Sequence, residues 1–302
     1  MISNSKIPKI IHQTWKRKMD LPICIEKNIK KWKELNPNYK YKFYDDNDCK
    51  KILYDNFGIN GLLSFNILKP GAFKADLFRY AILYVEGGVY ADVDITPMKP
   101  LSRIIKNNYD LISVNERWFL KEPVYGIWQA FLCCKEKCKY MKLIVEKIID
   151  NVFKRYYPES TKGYNNMLSI TGPVLLKKII DDNCDENIKI KLYEFDKKTK
   201  RKNRIIDRSN NVLLEDKQKI KQWKETGLME KENIFENFFK EKISIYNSEI
   251  EELENIIISD SSGSIFKYLS IDGLDDFNVK EFTKDKILLC LKDKNIIIEI
   301  FD

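Results

Sequence analysis

The stretch from Lys74 to Asp94, KADLFRYAILYVEGGVYADVD, predicts a helix, a tight turn and a strand in direct succession. The residues from Ala72 to Glu86 contain neither Gly nor Pro, and their apolar side chains recur at the spacing of one buried helical stripe. That stripe consists of Ala75, Phe78, Ile82 and Val85. Gly87 and Gly88 then end the helix and supply the turn. We therefore expect a half-buried helix that is followed at once by a strand.

The predicted strand alternates in polarity from Val89 to Ile95. Successive side chains of a strand point to opposite faces of its sheet. One face would carry Val89, Ala91, Val93 and Ile95, and the other would carry Tyr90, Asp92 and Asp94. The sequence thus predicts two carboxylates and a phenol on one face at the end of a strand, with the opposite face packed into the core.

An Asp-x-Asp pair at the end of a strand suits the binding of a divalent cation. A nucleotide diphosphate concentrates negative charge on the group that leaves when its bond to a sugar breaks, and that charge must be neutralised. Mg²⁺ or Mn²⁺ neutralises it while held by few carboxylates, because phosphate oxygens complete the coordination shell. Acidic pairs alone are common on solvated surfaces. The apolar helix and the Gly-Gly turn before Asp92 and Asp94 favour a cation site instead.

The first 180 residues alternate between β and α patterns, which predicts a layered α/β domain. Strands are predicted at residues 9–15, 39–44, 110–114 and 127–133. Helices are predicted at residues 26–35, 140–153 and 174–180. The acidic cluster at residues 45–48 is suited to capping a further helix, and residues from about 158 to 208 are otherwise rich in loops.

The last part of the chain has a different character. Residues 248–302 are predicted to form a small C-terminal appendage to a main domain at residues 1–247. Apolar runs at residues 286–291 and 296–301 predict a closing β-hairpin in the appendage. Its role cannot be derived from the sequence.

Charge and composition limit the function classes. The chain has 302 residues and a net charge of +8, which favours anionic ligands. Its basic residues are spread along the chain, so a nucleic-acid partner is not expected. No apolar run approaches the roughly 18 residues that span a membrane, and no signal region follows Met1. The seven cysteines lack paired metal-binding spacing and predict free thiols in a cytoplasmic protein. The single histidine, His12, lies in an apolar strand and is expected to be structural.

The segment from Lys74 to Asp94 resembles the signature of glycosyltransferases of the DXD sugar-binding type. That family (family 32-like) includes the Golgi initiating α-mannosyltransferases and is related to the catalytic domains of glucosylating bacterial toxins. Three more segments resemble the family in the same order: IPKIIHQTW at residues 7–15, WKELNPNYKYKFYDD at residues 32–46, and Thr171-Gly172-Pro173. The resemblance covers roughly residues 7–180. It implies a GT-A fold, a Rossmann-like α/β domain that binds its donor at the carboxyl ends of the strands.

The resemblance also implies which residues bind the nucleotide. Trp15 is expected to stack on the nucleobase, and the main chain of Thr14 is expected to contact the base beside it. Asn47 is expected to face the nucleotide. Without the resemblance, a Trp at the end of a strand is more commonly a core residue.

Five residues are expected to hold the sugar, the diphosphate and the metal. Asp76 and Arg79 lie three apart on the predicted helix and share a face, so both can bind hydroxyls of the transferred sugar. Alone, such a pair is also the pattern of a surface ion pair. Tyr90 is expected at the ribose or diphosphate, Asp94 as the direct ligand of Mn²⁺ (or Mg²⁺), and Asp92 as a bridge between metal, ribose and sugar.

The chain departs from the family pattern at two points. Gln129 stands where many members carry an Asn. Many members also close the donor site with a C-terminal segment that contains histidine, and this chain has no second histidine. The aromatic part of that segment could correspond to Trp223 or to Phe238 and Phe239, and the sequence does not decide between them.

The resulting hypothesis is a retaining, metal-dependent glycosyltransferase. It would move a hexose-type sugar from a UDP-sugar, favoured over a GDP-sugar, to a hydroxyl of a glycan or protein acceptor. Two alternatives stay open: a nucleotide-sugar-binding protein with little or no turnover, and a glycoside hydrolase. The hydrolase is disfavoured because glycosidases place their two carboxyls on opposite sides of the scissile bond.

Overall fold

The computed structural model of the protein describes most of the chain up to residue 235 and three strands after it. The described ranges are residues 6–19, 21–106, 108–116, 125–158, 167–196, 204–209, 211–216 and 234–235, with the strands between residues 277 and 299. The chain divides into two compact units, residues 1–235 and residues 236–302. The boundary predicted between residues 247 and 248 lies outside the described residues and stays a prediction.

The described part of the first unit consists of alternating strands and helices. The strands are β1 (Ile10–Thr14), β2 (Lys40–Tyr44), β3 (Gly88–Ala91), β4 (Ile95–Pro97), β5 (Leu111–Asn115), β6 (Ile127–Cys134), β7 (Ile190–Phe195), β8 (Arg204–Ile206) and β9 (Val212–Asp216). The helices are α1 (Ile23–Leu35), α2 (Asp46–Ile67), α3 (Gly71–Glu86), α4 (Leu101–Ile104), α5 (Lys139–Phe153) and α6 (Pro173–Asp182). The strands and helices predicted before residue 154 are confirmed to within a few residues, with the exception of the strand through Asp92 and Asp94.

The strands form one sheet in the order β2-β1-β3-β6-β5-β7-β8-β9-β4. Strand β1 is parallel to both of its neighbours, β2 and β3, and β5 is parallel to β7. The other neighbouring strands are antiparallel. Helices connect the three parallel strands, and the chain order 2-1-3 makes the gap between β1 and β3 the point where a doubly wound sheet binds ligands. The predicted Rossmann-like α/β fold of the GT-A type is confirmed.

Helix α2 begins at the predicted acidic cap. The side chain of Asp45 accepts a hydrogen bond from the main-chain N–H of Asp48, and the carboxylate of Asp48 accepts one from the N–H of Asp45, each over 3.0 Å. This reciprocal pair is a capping box, which satisfies two of the free N–H groups at the start of the helix. The helix is interrupted at Gly58, where φ is 64°.

Helix α3 is buried on more than one side, so the prediction of a single buried stripe is wrong. Ala75 and Val85 from the predicted stripe are only half-buried. Buried residues occur around the whole circumference of the helix: Phe73, Asp76, Leu77, Phe78, Arg79, Tyr80, Ala81, Ile82 and Leu83. The reason is that α2 and α5 contact α3 in addition to the sheet.

The predicted loop-rich segment from 158 to 208 contains the helix that was expected and two strands that were not. Strand β7 extends the sheet beside β5, and β8 pairs with β7. Strand β7 mixes charged with apolar residues, and five of its six residues are only half-buried. Its sequence therefore lacks the continuous apolar run of a fully buried strand. Among the described residues, no helix combines the length and the apolar character needed to cross a membrane.

The second unit contains a three-stranded antiparallel sheet. Its strands are β10 (Phe277–Phe282), β11 (Lys286–Leu291) and β12 (Lys294–Glu299), in the order β10-β11-β12. The predicted closing hairpin is confirmed as β11 and β12, and β10 adds one strand to it.

His12 links β1 to both of its neighbours. Its Nε2 lies 2.9 Å from the carbonyl oxygen of Gly87, and its Nδ1 lies 3.0 Å from the Tyr44 hydroxyl. A carbonyl can only accept, so Nε2 carries the hydrogen and Nδ1 accepts from Tyr44. Burial lowers the pKa of His12 to about 4, and the charge of Lys42 adds to this effect, while the Gly87 carbonyl and Glu86 oppose it. His12 is thus a neutral structural residue, as the sequence predicts.

The buried neutral state of His12 predicts a loss of stability in acid. The unfolded chain takes up this proton near pH 6.5 and the folded chain only near pH 4. The contribution of His12 is therefore complete above pH 6.5 and falls as pH drops from 6.5 to 4, by about 1.4 kcal/mol per pH unit and about 3 kcal/mol in total. Urea unfolding of the protein and of His12→Gln across this range measures the difference. Parallel pH profiles for the two proteins would contradict the assignment.

Candidate active site

Asp92 and Asp94 lie on a turn that follows β3. Strand β3 ends at Ala91, and the N–H of Ile95 donates to the carbonyl oxygen of Asp92 over 3.0 Å, which closes the turn before β4. The predicted continuous strand from Val89 to Ile95 is therefore wrong. The chain leaves β3 in the middle of the sheet to reach β4, which pairs with β9. Both carboxylates are half-buried at this turn.

Arg79 joins the helix to the turn. One of its terminal nitrogens donates to Asp76, and the other donates to Asp92 over 2.7 Å. The Arg79 side chain is 4% exposed, so the alternative of a surface ion pair is wrong. The guanidinium also lies over the ring of Tyr90, with its carbon 4.9 Å from the ring centroid. A buried guanidinium held by two carboxylates and an aromatic face has one fixed orientation.

Asp76 is bound from three elements of the fold. Besides Arg79, the hydroxyl of Thr171 donates to its carboxylate over 2.7 Å, and the amide of Gln129 donates over 3.1 Å. Thr171 and Gln129 are the two positions that the sequence singled out in a later loop and in β6. The structure thus brings both to Asp76, although neither was expected there. Burial raises the pKa of Asp76 to about 6, against the opposing charge of Arg79.

Tyr90, which was predicted at the ribose or diphosphate, is completely buried. It lies under Arg79 and beside Asp92, and burial holds its pKa well above the ordinary value for a phenol. In this arrangement Tyr90 supports the two charged groups, and its contact with a ligand stays a prediction.

A third carboxylate, Asp216, lies close to the Asp-x-Asp turn. Asp216 ends β9, directly opposite Ile95 of β4, and is 1% exposed. Burial raises the pKa of Asp94 to about 7, and the charges of Asp92 and Asp216 raise it further. Burial likewise raises the pKa of Asp92, and the charge of Asp216 adds to that effect. Sequence reasoning missed Asp216 because more than a hundred residues separate it from the turn and no motif marks it.

The charges at the turn fit a divalent cation that is shared with a ligand. The charge of Asp216 raises the pKa of both Asp92 and Asp94, and the charge of Asp92 raises that of Asp94, so a cation there would relieve this repulsion. In the part of the chain that the structure describes, no group of three acidic, histidine or cysteine side chains is arranged to enclose a metal. Mg²⁺ and Mn²⁺ bind through one or two carboxylates and complete their shell with phosphate oxygens and water, and Asp92 and Asp94 would supply that number of carboxylates.

The residues predicted to bind the nucleotide lie at the same edge of the sheet as the turn. The Thr14 hydroxyl donates to the carbonyl of Tyr44 over 3.0 Å, and the N–H of Trp15 donates to the same carbonyl over 3.0 Å. These bonds fix the ends of β1 and β2 together. Trp15 is 40% exposed, so the alternative of a core residue is wrong. Asn47 is exposed in the first turn of α2.

Parallel strands place these groups together. The carboxyl ends of β1, β2 and β3 meet at one edge, so Trp15, Asn47 and Asp92 follow three adjacent strands at that edge. The result is an exposed aromatic ring, a helix start and an acidic turn in a row. Across the sheet the aromatic ring lies between the helix start and the acidic turn, and the individual roles of these residues in nucleotide binding stay predictions.

Comparison with known proteins finds a family match over part of the chain. Residues 23–111 match the family described as "Glycosyltransferase sugar-binding region containing DXD motif". The resemblance to this glycosyltransferase family is confirmed. The matched DXD sugar-binding region contains Asp76, Arg79, Asp92 and Asp94.

Two curated relatives illustrate the extent of the likeness. The chain is 32% identical over 115 residues to an initiation-specific alpha-1,6-mannosyltransferase of Candida albicans, which is 36% of this chain and 30% of the relative. It is 26% identical over 176 residues to inositol phosphoceramide mannosyltransferase 3 of Schizosaccharomyces pombe, which is 58% of this chain and 45% of the relative. The chain thus spans about a third to a half of the length of these relatives.

Among solved structures, the chain is similar to the PaToxG glycosyltransferase, with a TM-score of 0.42 and 17% identity over 59% of this chain and 70% of that one. It is also similar to the UDP-bound glycosyltransferase domain of the YGT toxin, with a TM-score of 0.36 and 12% identity over 60% of this chain and 69% of that one.

The buried position of Arg79 predicts a large effect of removing its charge. Arg79→Met leaves the carboxylates of Asp76 and Asp92 without their cation, so we expect the free energy of unfolding to fall by about 3–5 kcal/mol. The double variant with Asp76→Asn should recover part of that loss, because one uncompensated charge is then absent. Urea unfolding near neutral pH measures both.

Arg103→Met is the matched control, since Arg103 is exposed on the short helix α4 and should change stability by less than about 0.5 kcal/mol. An Arg79→Met protein as stable as the Arg103→Met control would show that the buried network does not hold the turn.

Proposed function

We propose that this protein is a retaining, metal-dependent glycosyltransferase that moves a hexose from a UDP- or GDP-sugar to a hydroxyl of a glycan or protein. The observation that carries the proposal is the Asp76–Arg79–Asp92 network next to Asp94, at the carboxyl edge of the sheet. It joins one buried, oriented guanidinium to a turn whose carboxylates repel one another in the absence of a cation.

Asp92 and Asp94 would hold Mn²⁺ or Mg²⁺, with Asp94 as the direct ligand. When bound, the cation supplies positive charge to the diphosphate as that group takes up the electron pair of the broken bond. Asp94 suits direct ligation because it is half-buried and the two terminal nitrogens of Arg79 bind Asp76 and Asp92 instead, so that one oxygen of Asp92 is already occupied. Asp216, on the adjacent strand, adds negative charge that attracts the cation.

Arg79 and Asp76 would position the transferred sugar. Arg79 cannot rotate away, because two carboxylates bind its terminal nitrogens and Tyr90 covers one face. Its Nε is buried without a hydrogen-bond partner, and so is the side-chain oxygen of Gln129 next to Asp76. Buried polar atoms without partners are rare, so these two atoms call for a partner such as a water or a ligand group. Sugar hydroxyls are both donors and acceptors and could satisfy both atoms.

The nucleotide would lie across the ends of β1 and β2. The exposed ring of Trp15 offers an aromatic face for a base, and Thr14 holds the main chain there through its bond to Tyr44. The N-terminus of α2, with Asn47 in its first turn, faces the same edge.

Transfer with retention is proposed as a front-face substitution. The acceptor hydroxyl oxygen forms a bond to the anomeric carbon on the face from which the diphosphate departs, and the carbon–oxygen bond to the diphosphate breaks. The electron pair leaves with the diphosphate, and the hydroxyl proton passes to a diphosphate oxygen. Asp76 and Asp92 are both bound to Arg79, which disfavours either as a covalent nucleophile.

The class of sugar is proposed from the relatives. The names of the Candida albicans and Schizosaccharomyces pombe proteins both describe mannosyl transfer, so mannose is the first hexose to test. The nucleotide base is determined by a thermal-shift panel of UDP, GDP, and their glucose and mannose conjugates, each measured with and without Mn²⁺. A ligand that binds only the folded state raises the melting temperature, so the panel identifies the base and tests the metal requirement together.

The variant that tests the function is Asp94→Asn. Loss of the metal ligand should reduce Mn²⁺-dependent sugar transfer by at least about 100-fold, because stabilisation of the leaving diphosphate is lost. The melting temperature should be unchanged or higher, since Asn removes one charge from a cluster of like charges. Turnover of the preferred nucleotide-sugar and thermal unfolding measure these effects.

Asp55→Asn is the control for Asp94→Asn, because Asp55 forms only an exposed ion pair with Lys51 on α2 and should leave transfer unchanged. Near-normal, Mn²⁺-dependent turnover in Asp94→Asn would refute the assignment of Asp94 as the direct metal ligand. Metal-dependent nucleotide binding by the natural protein without any transfer would select the alternative of a binding protein, and release of sugar from a glycoside without nucleotide would select the hydrolase.

A further inference from the structure

The carbonyl groups of the Asp-x-Asp turn are bound by side chains from outside the turn. Asn28, on α1, donates from its amide nitrogen to the carbonyl oxygens of Val93 and Ile95, each over 2.6 Å. Trp32, one helical turn further on, donates from its indole nitrogen to the same Ile95 carbonyl over 2.9 Å. Residues four apart on a helix share a face, so α1 presents both donors to the turn.

A second element binds the other side of the turn. Gln13, on β1, donates from its amide nitrogen to the carbonyls of Ala91 and Asp92 over 3.2 and 3.1 Å. The side-chain oxygen of Gln13 accepts from the Tyr41 hydroxyl over 2.7 Å, which fixes the orientation of the amide. Gln13 is completely buried and Asn28 is 8% exposed, so water does not compete at full strength with these bonds.

These bonds act on the residue that lies between the two aspartates. The Val93 carbonyl lies in the peptide plane that joins Val93 to Asp94, so its direction fixes one of the two peptide planes from which the Asp94 side chain leaves the main chain. The turn is also held by main-chain bonds: the N–H of Asp92 donates to the carbonyl of Ala130 over 2.9 Å, and the N–H of Ile95 donates to the carbonyl of Asp92 over 3.0 Å. Its geometry therefore depends on the donors that bind it, and the two bonds from Asn28 lie on either side of Asp94 in the sequence.

We propose that Asn28 is a positioning residue for the cation site, which it serves by holding the main chain on both sides of Asp94 so that the carboxylates of Asp92 and Asp94 face one cation. The proposal rests on the proposed function, since it takes that pair to be the cation site. Asn28 touches neither the cation nor the sugar in this account. It acts as outer residues commonly do around metals, by fixing the direction of the groups that bind.

The test compares Asn28→Ala with Asn36→Ala. Asn36 is also buried at the end of α1, where it donates to the Trp32 carbonyl over 2.9 Å and accepts from the N–H of Leu101 over 2.7 Å. Both variants lose a buried amide from the same helix, but Asn36 has no bond to the turn. Calorimetry measures the Mn²⁺ affinity of the complex with UDP or GDP, whichever the protein binds, and the affinity for that nucleotide without Mn²⁺.

We expect Asn28→Ala to weaken Mn²⁺ binding by about 10- to 100-fold, the range seen when outer residues of metal sites are removed. Nucleotide affinity without Mn²⁺ should stay unchanged, because Trp15 and the ends of β1 and β2 are untouched. Asn36→Ala should lower the melting temperature and leave Mn²⁺ affinity unchanged. In turnover, Asn28→Ala should lower kcat more than it raises KM.

Unchanged Mn²⁺ affinity in Asn28→Ala, or an equal loss in Asn36→Ala, would overturn the proposal. If Asn28→Ala does not fold, Asn28→Ser, which keeps one donor, takes its place with the same expectation and the same criterion. Asp94→Asn distinguishes a failure of the proposed function from a failure of the positioning role of Asn28. Normal Mn²⁺ affinity in Asp94→Asn defeats the proposed function, whereas loss in Asp94→Asn with no loss at Asn28 defeats only the positioning role.

Discussion

The guanidinium of Arg79, buried between Asp76 and Asp92, is the interaction on which the site depends. It joins helix α3, which precedes β3, to the turn that follows β3. One side chain thus holds the helix and the Asp-x-Asp turn together. Two carboxylates around a single buried cation leave the region acidic, and Asp94 and Asp216 add to that excess. A buried excess of negative charge is costly in isolation. On the proposed function, a divalent cation bound at the turn would offset that cost.

The fold supplies the rest of the geometry. Parallel pairing of β1 with β2 and β3 aligns three carboxyl ends, and the strand order places the ligand edge between β1 and β3. His12 bonds the neighbours of β1 from within the sheet, and Gln13, the next residue, bonds the turn after β3. Two consecutive residues of one strand, on opposite faces of the sheet, thus serve stability and the site. Asn28 and Trp32 of helix α1 bind the main-chain carbonyls of the turn and the start of β4. Within the turn Val93 is buried, and Asp92 and Asp94 are half-buried.

Much of this could be predicted from the sequence, because the elements carry strong local signals. The alternation of short strands with helices, the capping box at Asp45 and the Asp-x-Asp pair are all contained within a few residues. The predicted strand through Asp92 is wrong because the alternating polarity of residues 89–95 is compatible both with a continuous strand and with a turn. The pairing of β4 with β9, more than a hundred residues away, favours the turn. The burial of Arg79 and the roles of Gln129, Thr171 and Asp216 likewise depend on contacts between residues far apart in the chain.

The most direct test of the account is a crystal structure of the protein with its preferred nucleoside diphosphate and Mn²⁺, with data collected at a wavelength where manganese scatters anomalously. The account predicts a single anomalous peak about 2 Å from a carboxylate oxygen of Asp94 and bonded to the diphosphate. An ordered diphosphate with no metal beside Asp94, or a metal bound elsewhere in the cleft, would contradict the central claim that this turn is the cation site.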